Sequence, residues 1–171
     1  MAVLDIIKLP DERLKRVSEP VESFDQELRA FIADLEDTRR AGPAAVGIAA
    51  PQVARHQRIL IVDVSGRPKT ESHGHLVLIN PEITHWEGFE IGREGCLSVP
   101  DFTGNVIRAT RIKLRAQDPE GATHIYEMEG FEARAVQHEL DHLDGLLFVD
   151  RVVSRRTDLY RRKVYQKGSG D

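Results

Sequence analysis

A chain of 171 residues, 40% hydrophobic and 30% charged, is long enough to bury a core without disulfide staples. Its net charge of −4 gives no basis for nucleic-acid binding as a main activity, so no DNA partner is expected. No run approaches the roughly eighteen apolar residues of a membrane span, and the single cysteine cannot form an internal disulfide, so a cytoplasmic protein with no membrane partner is expected.

The segment Met1 to Pro10 lacks a basic stretch and meets acids at once, unlike a secretory leader. Pro20, Ser23 and Asp25 introduce a helical pattern, with Leu28, Phe31, Ile32 and Leu35 on one face and Gly42-Pro43 as its stop. Ala44 to Gln52 is built of small residues with one amide and reads as an extended loop or edge strand, where backbone can approach a ligand. Strands are predicted over Arg58 to Val64 and Leu76 to Asn80, around a polar surface loop from Gly66 to Gly74. Glu90 to Pro100 carries the lone cysteine. Ile112, Leu114 and Ala116 alternate with polar residues, and Thr123 to Met128 is their hairpin partner across Asp118-Pro119-Glu120-Gly121. A helix is predicted from Gly130 to Leu143, stopped by Asp144-Gly145. A last helix is expected from an N-cap at Ser154 toward Gln166, with a frayed tail. Strands first, with helices at both ends, give an α+β class.

His138-Glu139-Leu140-Asp141-His142 is the strongest signal in the chain. On a helix, residues i and i+4 differ by about 40° in azimuth, so both imidazoles project from one face. Glu139 lies about 100° from His138 and about 60° from His142, so it can lean over a metal without ligating it. Two neutral imidazoles and a carboxylate suit metal-activated attack by water. At this composition such a motif should arise by chance roughly 0.02 times, against the bland alternative of two unrelated histidines on a solvated face.

A catalytic site of this kind usually has three protein ligands and an open position. Gly145 continues one known spacing correctly, but the next slot is Phe148, which cannot bind metal, and no Glu follows Glu139. Asp150 is better read as a cap or as a salt-bridge partner near Arg151. That leaves Cys96, in Glu94-Gly95-Cys96-Leu97-Ser98, whose thiolate suits iron, zinc or cobalt. The alternative for Cys96 alone is a small buried core residue.

Three collinear stretches resemble the peptide deformylase (polypeptide deformylase) family: Val46-Gly47-Ile48-Ala49-Ala50-Pro51-Gln52, Glu94-Gly95-Cys96-Leu97-Ser98 and Gln137-His138-Glu139-Leu140-Asp141-His142-Leu143. Leu9-Pro10, Ile79-Asn80-Pro81 and Gly145-Leu146-Leu147-Phe148 extend the likeness to about residue 150. The resemblance implies one catalytic domain over 1–171. Its α+β fold would wrap antiparallel sheets around a central helix carrying the His-Glu-x-x-His motif, with an N-terminal helix and a C-terminal helix and tail over 154–171. It implies removal of the formyl group from N-formylmethionyl nascent peptides. Cys96, His138 and His142 would hold one divalent metal, usually Fe²⁺, with Zn²⁺, Ni²⁺ or Co²⁺ able to occupy the site. Glu139 would shuttle the proton, Gln52 and the backbone N–H of Leu97 would stabilise the oxyanion, and Gly47 would pair its backbone with the peptide. Val46, Phe131 and Ala135 are candidate linings for the methionine side chain, with ordinary core packing as the alternative.

Two departures from the family pattern stand out. Ala45 replaces a usual glycine, which matters only if that backbone needs φ > 0. Thr103 stands where an arginine is frequent, which implies a different hold on the peptide beyond methionine. Arg108 matches and is expected to pair with Glu94. Arg151 to Lys167 holds seven Lys/Arg against one acid, Asp158. It is either a solvated helix face or a docking element for ribosomal RNA. The competing functions are a zinc endopeptidase, whose third ligand is missing, and a silent metal- or ribosome-binding homologue, which would need neither Gln52 nor Glu139.

Overall fold

The computed structural model describes residues 2–42 and 45–162. Helix α1 spans Gln26–Ala41 and helix α2 spans Gly130–Leu143. The strands are β1 (Gly47–Ala49), β2 (Ile59–Val62), β3 (Leu76–Glu87), β4 (Glu90–Cys96), β5 (Val99–Arg108), β6 (Arg111–Gln117), β7 (Thr123–Glu129) and β8 (Leu159–Arg161). They form an antiparallel five-stranded sheet, β1-β2-β3-β6-β7, and a three-stranded sheet, β4-β5-β8. This is the expected α+β class.

The five-stranded sheet lies between the two helices. Strand β2, Ile-Leu-Ile-Val, is buried on both faces. Ile59 and Ile61 pack with Leu28, Phe31, Ile32 and Leu35 of α1. Leu60 and Val62 pack with Val136, Leu140 and Leu143 of α2. The apolar stripe read in the sequence is therefore the face α1 buries, and Asp25 caps it by accepting from Leu28 N at 3.0 Å. The three-stranded sheet covers a separate core of Leu14, Val99, Val106, Leu147 and Phe148. Helix α2 thus runs between the sheets, with a face available to each.

Helix α2 has the predicted bounds. Gly145, with φ +78, follows the end of the helix, and a Cβ there would collide with the Lys15 carbonyl. The small-residue segment resolves into the short edge strand β1 followed by a 3-10 turn, Ala50–Val53. Strand β3 continues to Glu87 rather than ending at Asn80. Its second half is mostly exposed, so it lacks the apolar signature that marks its first half. Asn80 adopts φ 51 there, and its side chain bonds Val21 N and O.

The expected C-terminal helix is corrected over its described part. Ser154 and Asp158 do close one turn, Asp158 N donating to Ser154 O at 2.7 Å. Strand pairing then wins: Asn105 N donates to Asp158 O at 2.8 Å, Leu159 packs into the third core, and residues 159–161 extend β5 as β8. The expected continuation through 163–166, and residues 43 and 44 of the first motif region, lie outside the described residues.

Candidate metal centre

Helix α2 places His138, Glu139 and His142 on the side facing the β4–β5 hairpin and β1. Cys96 ends β4, immediately before the turn Leu97-Ser98. One ligand atom from each of Cys96, His138 and His142 lies within 4.8 Å of the others. Cys96 Sγ is 3.3 Å from His142 Nε2, a separation that two ligands on one tetrahedral ion would show. His138 donates from Nδ1 to Glu94 Oε1 at 2.9 Å, which leaves Nε2 for an ion. His142 Nδ1 and Glu139 Oε1 are buried without hydrogen-bond partners among the described residues. Glu139 Oε1 stands 4.0 Å from His142 Nε2, an unpartnered acceptor beside the cluster. A soft sulfur, two imidazoles and this orphaned oxygen fit a divalent transition metal.

Burial pushes Glu139 up to about 7, with Glu94 and Asp141 adding to the rise against His138 and Arg108. Burial also disfavours a charged His138, but hydrogen bonds to Cys96 and Glu94 outweigh it and raise its pKa. Burial, with the charge of His138, lowers His142, which favours the neutral imidazole a metal needs.

Gln52 is 2% exposed. Its Oε1 accepts from Ala49 N at 3.0 Å, and its Nε2 donates to Ser98 Oγ at 3.1 Å and faces Cys96 Sγ at 3.6 Å. The amide is thereby fixed with its N–H side toward the ligand cluster. The N-terminal segment holds both neighbours, because Ile7 N donates to Gln52 O and Leu9 N to Ser98 O. Leu97 sits in the hairpin turn between the paired Cys96 and Val99. Gly47 lies on the unpaired edge of β1, and a Cβ there would come within 2.7 Å of Glu139 Oε2. Any larger residue at 47 would have to push the Glu139 side chain aside, so glycine leaves that carboxylate where it stands.

Val46, Phe131 and Ala135 gather in the core cluster between the sheet and α2, with the Arg67 guanidinium 3.8 Å above the Phe131 ring. Thr103 sits opposite Gly95 on β5, and its hydroxyl accepts from Arg93 Nη1 at 3.4 Å. Phe148, rejected as a ligand, stacks on His138 at 6.3 Å. Asp150 is a cap, accepting from Leu147 N, and its ion pair is with Arg155 rather than Arg151.

Behind the ligands lies a buried polar network that the sequence only partly assigned. Glu94 is a buried hub: Arg108 donates to both its oxygens, at 2.9 and 2.8 Å, and Arg134 Nη1 donates at 2.7 Å. Arg108 also reaches Asp141 at 2.6 Å, and Asp141 takes two bonds from Arg151. Burial opposes ionisation of Glu94, yet Arg108 and His138 hold its carboxyl well below the ordinary range. The Arg108–Glu94 pair was expected. Arg134 and Asp141 were missed, although Arg134 precedes His138 by one helical turn, a placement that could have flagged it. A cavity of about 590 Å³ opens behind α2 among Trp86, Phe89, Ile107 and Leu140, and none of the three ligand residues lines it.

A profile of the family described as polypeptide deformylase matches residues 3–158. A peptide deformylase of Alkalilimnicola ehrlichii is 44% identical over 164 residues, covering 96% of this chain and 90% of that one. A peptide deformylase crystal structure from Legionella pneumophila superposes with TM-score 0.80 at 40% identity, covering 88% and 86% of the two chains. Another, from Ehrlichia chaffeensis in complex with actinonin, gives TM-score 0.84 at 36% identity over 91% and 92%.

Proposed function

The chain belongs to the polypeptide deformylase family, and from that premise we propose how its own residues divide the work. It is a metal-dependent hydrolase that removes the formyl group from N-terminal formylmethionine of newly made proteins and releases formate. The observation that carries the assignment of roles is the Cys96–His138–His142 cluster with the buried, unpartnered Glu139 beside it.

Cys96, His138 and His142 hold the ion, and Fe²⁺ is our assignment for it, with Zn²⁺, Ni²⁺ and Co²⁺ as substitutes. When bound, the metal supplies Lewis acidity and brings water toward ionisation near neutral pH. Glu139, raised to about 7 by burial, is poised to take the proton of the attacking water and give it to the leaving amine. Gln52 Nε2 and the backbone N–H of Leu97 donate to the charge developing on the formyl oxygen, a contribution of about 3 kcal/mol per donor. Gly47 offers an edge-strand backbone to the peptide, and Val46, Phe131 and Ala135 wall the slot for methionine. Glu94 fixes the tautomer and orientation of His138, and Arg108 and Arg134 hold Glu94 in place. Residues 1–171 act as one catalytic domain in the cytoplasm.

The basic stretch 151–167 supports electrostatic docking on ribosomal RNA, although Arg151 and Arg155 already pair with Asp141 and Asp150. Removing 163–171 leaves β8 in place and should weaken ribosome co-sedimentation more at low salt than at high salt. Unchanged binding would refute docking by this segment.

The assignment is tested by formate release from a formyl-Met peptide with anaerobically prepared protein and metal analysis of the same sample. One metal per chain with formate release is expected, with unformylated protein left intact. Cleavage of unformylated protein would favour the endopeptidase, and bound metal without either product would favour the silent homologue.

A further inference from the structure

Strand β4 divides its side chains between two surroundings. Glu94 and Cys96 face the metal centre, whereas Arg93 and Gly95 face outward. On that outer face Arg93 stacks 3.8 Å over the Tyr160 ring, donates from Nε to Asn105 Oδ1 at 3.1 Å, and reaches Thr103 Oγ1. Gly95 is covered by a second cation: a Cβ built there would lie 2.5 Å from Arg162 Nη2. Strand β8 delivers both Tyr160, paired with Thr103, and Arg162, whose N–H donates to Asp101 O at 2.7 Å. Residues 93 and 95 are about 7 Å apart along a strand, so the two guanidinium groups can serve one anion. Both arginines are exposed, and neither meets a carboxylate among the described residues.

β4 is one edge of its sheet, as β1 is of the other, and the ligand cluster lies between them. An extended peptide with its formyl end at the cluster can add to the β4 edge at about 4.8 Å. If methionine points toward Phe131 and Ala135 on α2, strand alternation turns the next side chain to the outer face. We propose that Arg93 and Arg162 form an anion-recognising pair that favours formylated peptides with an acidic residue directly after methionine. The proposal rests on the deformylase reading above. The pair acts at a solvated rim, so its effect is modest and screened by salt.

The test compares kcat/KM for formyl-Met-Asp-Ala-Ala amide and its isosteric Asn counterpart, with the metal-loaded full chain and formate as the readout. The Asp/Asn ratio cancels any general change in activity. Wild type should favour Asp by about threefold to fivefold at low salt, and the preference should fall toward one at high salt. It should also fall toward one in the double variant Arg93→Gln/Arg162→Gln and be partly kept in Arg162→Lys. A wild-type ratio at or below one, or an unchanged ratio in the double variant, would overturn the proposal. Absence of formate from both peptides would instead remove the deformylase reading, and this inference with it.

Discussion

Glu94 and Arg93 are neighbours on one strand, yet they occupy different media. Glu94 is 7% exposed and takes bonds from Arg108, Arg134 and His138, whereas Arg93 lies in water on an aromatic ring. A charge out of water is costly unless its partners are all present, so the inner network is an all-or-none arrangement that fixes where His138 can point. A charge in water carries no such penalty and can only bias what binds nearby. One pleat therefore separates the groups that build the site from those that tune it.

The comparison is sharpest under truncation of Glu94. Glu94→Ala removes the shared acceptor of Arg108, Arg134 and His138, leaving Arg108 with Asp141 alone and Arg134 with only the Glu90 and Val106 carbonyls. It should cost about 3–5 kcal/mol of stability, measured by denaturant titration of metal-free protein. A cost comparable with a surface substitution would break the contrast between the two faces. A second inner-face test is Gly47→Ala, where the new methyl must displace the Glu139 carboxylate. We expect kcat to fall about a hundredfold with metal content unchanged, since misplacing a reacting group by an ångström costs on that order. Full activity would mean that Glu139 need not stay where it is.

Acid should weaken the inner face selectively. Glu94 has a depressed pKa in the folded chain and an ordinary value, 4.5, in the unfolded one. The unfolded chain therefore takes up the proton first as pH falls. The stability from Glu94 is complete above about pH 4.5 and is lost as pH drops toward its folded value. Melting temperatures of wild type and Glu94→Gln, measured metal-free, should converge in that acid range; a constant gap would contradict the linkage. The smallest effect belongs to the outer face: Arg93→Ala should change stability by no more than about 0.5 kcal/mol in the same titration.

Much of this was legible in the sequence where the signal is local. The bounds of α2 follow from helical periodicity and the Asp144-Gly145 stop, and His138, Glu139 and His142 come with it. Cys96 required elimination, because a lone thiol carries no pattern. Strands β4 and β5 were not separable in advance, since Arg93, Glu94, Asn105 and Arg108 are polar whichever face they occupy. Burial of Glu94 and Arg108 depends on Arg134 and Asp141, which lie far along the chain. Ser154 and Asp158 do form the turn that a helix start would need, but the open edge of β5 captures the chain at Asp158 and Leu159. Local caps cannot report that competition.

The most direct test of the central assignment is Glu139→Ala, assayed for bound metal and for formate release on one preparation. The variant should keep one metal per chain through Cys96, His138 and His142 and lose turnover by about 10² to 10⁴. Retained metal with undiminished formate release would contradict the role given to Glu139.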